Sequence, residues 1–327
     1  MLTGCGAKSD NSDKSAVRDV FAMDTYMNIR AYGENAETAV FDAENEIHRI
    51  EKMLSVTNVS SDISAVNSSH GKPVEIHGET AEIISYANEI SEKTDGALDI
   101  TVYPVLREWG FTTGDYKVPD DETLSALLEK TGFENIITDG NTVTIPDKFM
   151  IDLGALAKGY TSDRIMDIFS ENSVANGIVS LGGNVQMKGT KPDGSLFRVG
   201  VANPFFPDST MCILEITEKA VITSGNYERF FEDESGQKYW HIIDTADGYP
   251  ADNGLVSVTV IGESGLMCDA LSTALFVCGE KRAEEYWRRY GEFDMILVTD
   301  DKRMIVTDGI ADCFENKSDM IAGVIHR

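Results

Sequence analysis

The sequence predicts an α+β fold of mixed sheets with packed helices. Three observations carry this. Helical and strand-like periods alternate along the chain without a strict β-α-β rhythm, which argues against a doubly wound parallel sheet. The 327 residues correspond to two compact units or one large one, at about 150 residues per domain. Hydrophobic residues make up 42% and aromatics 9%, enough for a packed core, so global disorder is excluded.

In chain order, residues 20–32 alternate as a strand. A long helix is predicted over 36–54, with Val40, Ala43, Ile47, Ile50 and Leu54 at helical spacing and His48 off that stripe as a solvated residue. Residues 71–78 read as a turn-rich connection, and 80–94 as a helix that stops at Gly96, a C-cap residue. A loop over 110–119 precedes a helix over 121–130. Ile136-Ile137 and residues 143–145 flank Asp139-Gly140-Asn141, a hairpin turn. Residues 150–153 form a short apolar strand that meets Gly154, and a helix runs over 156–171. Residues 177–181 form another strand, ending at Gly182-Gly183. Strands then dominate to Ile261. Helices follow over 269–276 and 280–290, and short strands close the chain. There is no internal repeat, and no Gly-x-Gly-x-x-Gly or P-loop pattern supports a Rossmann cofactor site.

Charge narrows the function. Lys and Arg total 28 against 55 Asp and Glu, a net charge of -27. Such a chain repels phosphate backbones at long range, which argues against nucleic acid as a partner. An anionic ligand such as a dinucleotide would need a bound cation to neutralise its pyrophosphate.

No stretch approaches about 18 consecutive apolar residues. Leu2-Thr3-Gly4-Cys5 resembles a bacterial lipobox with Cys5 as the lipidated residue, and the polar run after it reads as a solvated tether. A chance match is the alternative. On the lipobox reading, residues 1–18 are the remnant and tether, residues 19–327 are the folded domain, and the protein is extracytoplasmic, anchored to the outer face of the bacterial cytoplasmic membrane. The remaining cysteines, 212, 268, 278 and 313, show no Cys-x-x-Cys spacing and read as buried thiols rather than a disulfide framework.

Three segments could carry chemistry. In residues 151–160 a strand enters a helix through small residues, leaving backbone groups open to a phosphate or metal, with Lys158 in the first turn. An ordinary strand-to-helix connection is the competing reading. In the second, 223–229 is followed by His241-Ile242-Ile243-Asp244, where His241 and Ile243 share a face. A His there suits a general base near neutral pH, although a structural His is the commoner outcome. In the third, Asp269 and Thr273 are spaced i, i+4, so a carboxylate and a hydroxyl lie on one helix face, a set that suits Mg²⁺. The alternative is that Asp269 merely caps the helix.

Together the segments resemble the FAD:protein FMN transferases, long known as thiamine-biosynthesis lipoproteins. The resemblance runs from about Phe21 to Gly309 and keeps the family's motif order. It rests on Met23-Asp24-Thr25, the Gly96 to Pro104 stretch, Trp109-Gly110-Phe111, and the Asp-Leu-Gly-x-x-Ala-Lys-Gly-Tyr of 152–160. Leu181-Gly182-Gly183-Asn184, the Ser-Gly-x-Tyr-Glu-Arg of 224–229, His241 to Asp244 and the Asp-Ala-x-Ser-Thr-Ala of 269–274 complete it.

The resemblance implies two subdomains with FAD in a cleft between them. It implies Mg²⁺-dependent cleavage of FAD at its pyrophosphate, transfer of FMN to a Thr or Ser of a target protein, and release of AMP. The acceptor would be a subunit of a membrane redox complex. Carried over by position, the metal ligands would be Asp269, Thr273 and the backbone carbonyl of Ala155. FAD would contact Met23, Asp99, Lys158 and Ile243, and His241 would help deprotonate the acceptor hydroxyl. The sequence departs from the family at Asn226, Thr245 and Asp247, and at Thr57, where the family usually places a Tyr beside the flavin. Two rival readings remain: an FAD pyrophosphatase that admits water to the same phosphorus, and a lipoprotein that only binds FAD.

Overall fold

The computed structural model describes residues 14–327; Cys5 and the lipobox lie outside the described residues. The described chain opens with an antiparallel hairpin, β1 (Ser15–Ala22) and β2 (Thr25–Tyr32), where the alternation predicts a single strand. The turn is Met23-Asp24, with φ of +50° and +57°. Two left-handed residues match the twist of a tight hairpin, but neither is the Gly or Asn that usually signals one. Glu51 Oε1 accepts the Met23 N–H at 2.6 Å, a compensation for that strained backbone. β1 also begins inside the stretch expected to be tether.

α1 (Ala36–Leu54) has its predicted bounds and buries its predicted stripe. It is followed by α2 (Asp62–Asn67), β3 (Val74–Glu75), α3 (Gly78–Lys93), α4 (Tyr103–Glu108) and α5 (Asp121–Leu128). β4 (Ile137–Asp139) and β5 (Thr142–Thr144) pair as the predicted hairpin. Residues 150–153 form no strand. The Asn67 side chain donates to the Ile151 carbonyl at 2.9 Å and accepts its N–H at 2.7 Å, while Asp152 N–H donates to the Ile100 carbonyl at 2.9 Å. The extended backbone is satisfied outside any sheet.

α6 (Ala157–Glu171) leads to β6 (Asn176–Leu181), β7 (Asn184–Lys188), β8 (Phe197–Asn203) and β9 (Phe206–Ile216). β10 (Ala220–Gly225), β11 (Phe230–Glu232), β12 (Lys238–Trp240) and β13 (Leu255–Gly262) come next. α7 (Gly265–Tyr290) joins the two helices predicted there and breaks at Gly279, whose φ of +77° favours glycine. β14 (Asp294–Thr299), β15 (Arg303–Thr307), β16 (Phe314–Asn316) and β17 (Ile321–Ile325) close the chain.

The predicted α+β class is what forms. A nine-stranded sheet runs β1-β2-β6-β7-β10-β13-β14-β15-β17, antiparallel except for the last pair. β13 is buried on both faces. Its Val258 and Val260 pack with Leu271 and Leu275 of α7, and its Val256 and Ile261 pack against the small β16-β9-β8 sheet through Val199 and Leu214. Each such side chain contributes about 1.5–3 kcal/mol when fully buried. Sheet and helix are thereby locked together where α7 brings in its polar residues. Cys212 and Cys268 are buried thiols, and Cys278 and Cys313 are half-buried.

Candidate active site

A cavity of about 590 Å³ lies where the β1–β2 turn, residues 97–112, the entry to α6, the end of β10 and the first turns of α7 meet. Its opposite wall rests on a separate apolar cluster built from Val105, Trp109, Phe111, Leu124 and Ile243. The predicted cleft therefore has two differently packed sides.

The crossing of α6 and α7 sets the chemistry. A Cβ on Gly159 would stand 2.3 Å from the Gly265 carbonyl oxygen and 2.6 Å from Asp269 Cβ, so only glycine lets the helices touch backbone to backbone. Asp163 of α6 then caps α7. Its carboxylate accepts the N–H groups of Gly265 at 2.6 Å and Leu266 at 3.0 Å, and the Ser264 hydroxyl at 2.8 Å. Ser264 in turn accepts the Met267 N–H at 3.2 Å. An anionic cap also suits the positive end of the helix. Asp269 is thus not the cap; it lies a turn further in.

Asp269 is 4% exposed, and its Oδ2 accepts the Gly159 N–H at 2.8 Å. Gly159 is the third residue of α6, so its N–H has no acceptor within the helix and Asp269 supplies one. The next N–H, that of Tyr160, donates to the Leu156 carbonyl at 2.9 Å, and the Ala155 carbonyl, which precedes the helix, accepts no backbone N–H among the described residues. Thr273 Oγ1 lies 3.3 Å from Ser224 Oγ, which lies 2.8 Å from Ser272 Oγ. Ala155, Asp269 and Thr273 all line the cavity. Among the described residues, no group of three or more His, Cys, Asp or Glu side chains could hold a metal. The donors here are instead one carboxylate, one hydroxyl and one carbonyl. This all-oxygen set fits a hard cation whose remaining positions go to water and ligand phosphate. Burial pushes the Asp269 carboxyl upward, against the nearby charge of Lys158 and the Gly159 hydrogen bond.

His241 follows β12 and lines the same cavity, as does Ile243, which pairs with Pro250 in an isolated bridge. His241 Nδ1 lies 3.2 Å from the Arg229 carbonyl, an acceptor, so the ring proton sits on Nδ1 and Nε2 keeps its lone pair. Arg229 is itself anchored, Nη2 donating to the Phe111 carbonyl at 2.7 Å. Burial first, then the Arg229 charge, lowers the His241 pKa to about 4, so the imidazole is neutral at pH 7.

Met23, Asp99 and Lys158 line the cavity as well. Asp99 is already engaged: its carboxylate accepts the Thr101 N–H at 2.8 Å, the Thr101 hydroxyl at 2.6 Å and the Phe133 N–H at 3.0 Å. Thr57 is the exception. It sits exposed on the loop after α1, its hydroxyl 3.1 Å from Ser55 Oγ, outside the cavity lining. The Ser55 and Asn58 hydrogen bonds fold that loop onto itself rather than toward the cavity.

Sequence reasoning missed two residues. Asp163 acts from a helix 101 residues before the one it caps, with no local signal. Glu228 lies in the Ser-Gly-x-Tyr-Glu-Arg motif of 224–229, yet nothing in the sequence shows that its carboxyl enters the cavity wall. It lines the cavity, and desolvation pushes its carboxyl up to about 7, opposed by Lys158 and reinforced by Asp269.

Known proteins share this fold. The model of the ApbE family matches residues 23–297. A Vibrio cholerae protein named FAD:protein FMN transferase is 31% identical over 292 residues, 86% of each chain. A Treponema pallidum protein of the same name is 27% identical over 94% of this chain and 90% of its own. The crystal structure of the ApbE protein from Thermotoga maritima superposes with a TM-score of 0.87 at 31% identity, covering 92% of this chain and 99% of that one. The flavin transferase ApbE from Vibrio cholerae gives 0.83 at 28% identity, with the same coverage. On the family match and on identity across most of its length, the chain belongs to the ApbE family.

Proposed function

We propose that this cavity holds FAD for transfer of its FMN half to a Thr or Ser hydroxyl of an acceptor protein, with release of AMP. Flavin transfer from FAD to a protein is the activity its curated relatives are named for, and the chain is a transferase of that kind. The observation that carries the detailed reading is the convergence of the Asp269 carboxylate, the Thr273 hydroxyl and the unbonded Ala155 carbonyl on one wall, with neutral His241 in the same cavity.

Asp269, Thr273 and the Ala155 carbonyl would hold Mg²⁺. When bound, the ion supplies positive charge to the diphosphate, which a chain of net charge -27 otherwise repels. Lys158 adds a second positive group on the same side. His241 Nε2 takes the proton of the acceptor hydroxyl as that oxygen bonds to the FMN phosphorus and the bond to the AMP oxygen breaks. Met23, Asp99 and Ile243 lie along the cavity as contacts for the bound dinucleotide. The lipid anchor on Cys5, the extracytoplasmic location and an acceptor from a membrane redox complex belong to this proposal and rest on sequence alone.

Incubation with FAD and Mg²⁺, with and without an acceptor protein, tests the reading. AMP released together with a flavin-sized mass increment on the acceptor supports it. AMP with free FMN alone makes the protein a pyrophosphatase, and no AMP at all makes it a flavin store.

A further inference from the structure

The acceptor is a polypeptide, so part of its chain must cross the cavity mouth. This inference rests on the transfer reading above. The rim holds an unusual surface. Phe21 and Tyr26 face each other across the β1–β2 hairpin, one step from the turn that lines the cavity, and are 72% and 60% exposed. Phe206, also 60% exposed, stands beside Pro207, another lining residue, on a different sheet. A cross-strand pair of exposed rings beside the lining of a site, with a third ring next to another lining residue, marks a binding surface rather than ordinary scatter.

The hairpin offers a second feature. β1 is the terminal strand of the nine-stranded sheet and pairs with β2 in unbroken register over its whole length. It contains no proline and no bulge, and its two charged side chains, Arg18 and Asp19, are engaged by Glu44 and Asn28. Among the described residues no strand pairs with its other side, which presents backbone N–H and C=O groups to an extended segment, the mode by which sheet edges capture peptides. The strand ends at Ala22, directly before the Met23-Asp24 turn in the cavity wall.

We propose that an extended segment of the acceptor protein adds to the β1 edge, with apolar side chains on Phe21 and Tyr26, so that its hydroxyl residue passes the Met23-Asp24 turn into the cavity. Phe21 and Tyr26 are then specificity residues for the acceptor and take no part in holding FAD.

Binding and transfer are measured separately. A dye-labelled short peptide with a central Thr flanked by Val and Leu is titrated onto the FAD-loaded enzyme in EDTA, beside the same peptide with Ser flanks. The apolar peptide is expected to bind more tightly. The double variant Phe21→Ser, Tyr26→Ser should lose that preference and bind it roughly tenfold more weakly, as removing two apolar contacts implies. FAD affinity and AMP release to water should stay at wild-type levels. Equal binding of both peptides, or a double variant that binds them as the wild type does, overturns the proposal. So does a parallel loss of FAD affinity, which would place the rings in the flavin pocket. Adding Mg²⁺ then separates the two ideas: a peptide that binds through the rings but gains no flavin mass refutes the transfer reading and leaves the docking surface standing.

Discussion

The Gly159 N–H, which has no partner within α6, donates to Asp269 Oδ2 at 2.8 Å. One hydrogen bond thereby satisfies the first turn of a helix and fixes a buried carboxylate, the only charged group among the three proposed metal ligands.

Asp269→Ala should therefore abolish Mg²⁺-dependent turnover. It removes the only anionic ligand of the proposed set. Thr273→Val should weaken Mg²⁺ less, because water replaces a neutral hydroxyl more easily than a charge. Titration of AMP release against Mg²⁺ checks both. Wild-type release by Asp269→Ala at limiting Mg²⁺ would show that Asp269 is a structural partner of Gly159 and nothing more.

His241→Ala should cut flavin transfer by roughly 10²–10⁴-fold, the usual range for a lost general base. FAD binding should persist, since the ring contributes one wall among many. Transfer rates and fluorescence titration with FAD separate the two quantities. Equal losses in both would assign His241 to the frame of the cavity.

Asp163→Ala strips the first turn of α7 of its cap. The expected loss of stability is about 1–2 kcal/mol, with a rise in the Mg²⁺ needed for half-maximal activity because Asp269 and Thr273 ride on that helix. Asp163→Asn, which still accepts hydrogen bonds, should recover part of both. A thermal melt combined with the Mg²⁺ titration decides it. A stability loss with unchanged Mg²⁺ dependence would confine Asp163 to folding.

Glu228 makes stability depend on pH. Desolvation in the cavity wall raises its carboxyl from 4.5 to about 7 in the folded protein. Below pH 4.5 it is protonated folded or unfolded and costs nothing. As pH rises from there through 7, the unfolded chain ionises more readily, and stability is lost. Glu228→Gln should thus match the wild type at pH 4.5 and exceed it at pH 8 in Mg²⁺-free protein. Melting curves at the two pH values test this, and a difference independent of pH would contradict it.

Local pattern explains what the sequence made legible. α1 could be delimited because its apolar stripe is regular, and the 137–144 hairpin because Gly140-Asn141 suits a tight turn. The Met23-Asp24 turn stayed hidden because its left-handed backbone is upheld by Glu51, far along the chain. Residues 150–153 looked like a strand because they are apolar, yet Asn67 satisfies the backbone that a neighbouring strand would have paired. At the site, Asp269, Thr273, Lys158 and His241 were marked by motif and spacing. The cap from Asp163 and the desolvation of Glu228 depend on packing between distant segments, which no local pattern encodes.

The break at Gly279 divides labour along α7. The part before it is almost wholly buried and carries Asp269 and Thr273; the part after it presents Lys281, Glu285, Arg288 and Arg289 to solvent. Because the hydrogen-bond ladder is interrupted between them, substitutions on the outer part need not rotate the inner one. The solvent-facing positions of the outer part are left free to drift under mutation, its buried Ala283, Tyr286 and Trp287 are not, and the part that carries the proposed ligands is insulated from that drift.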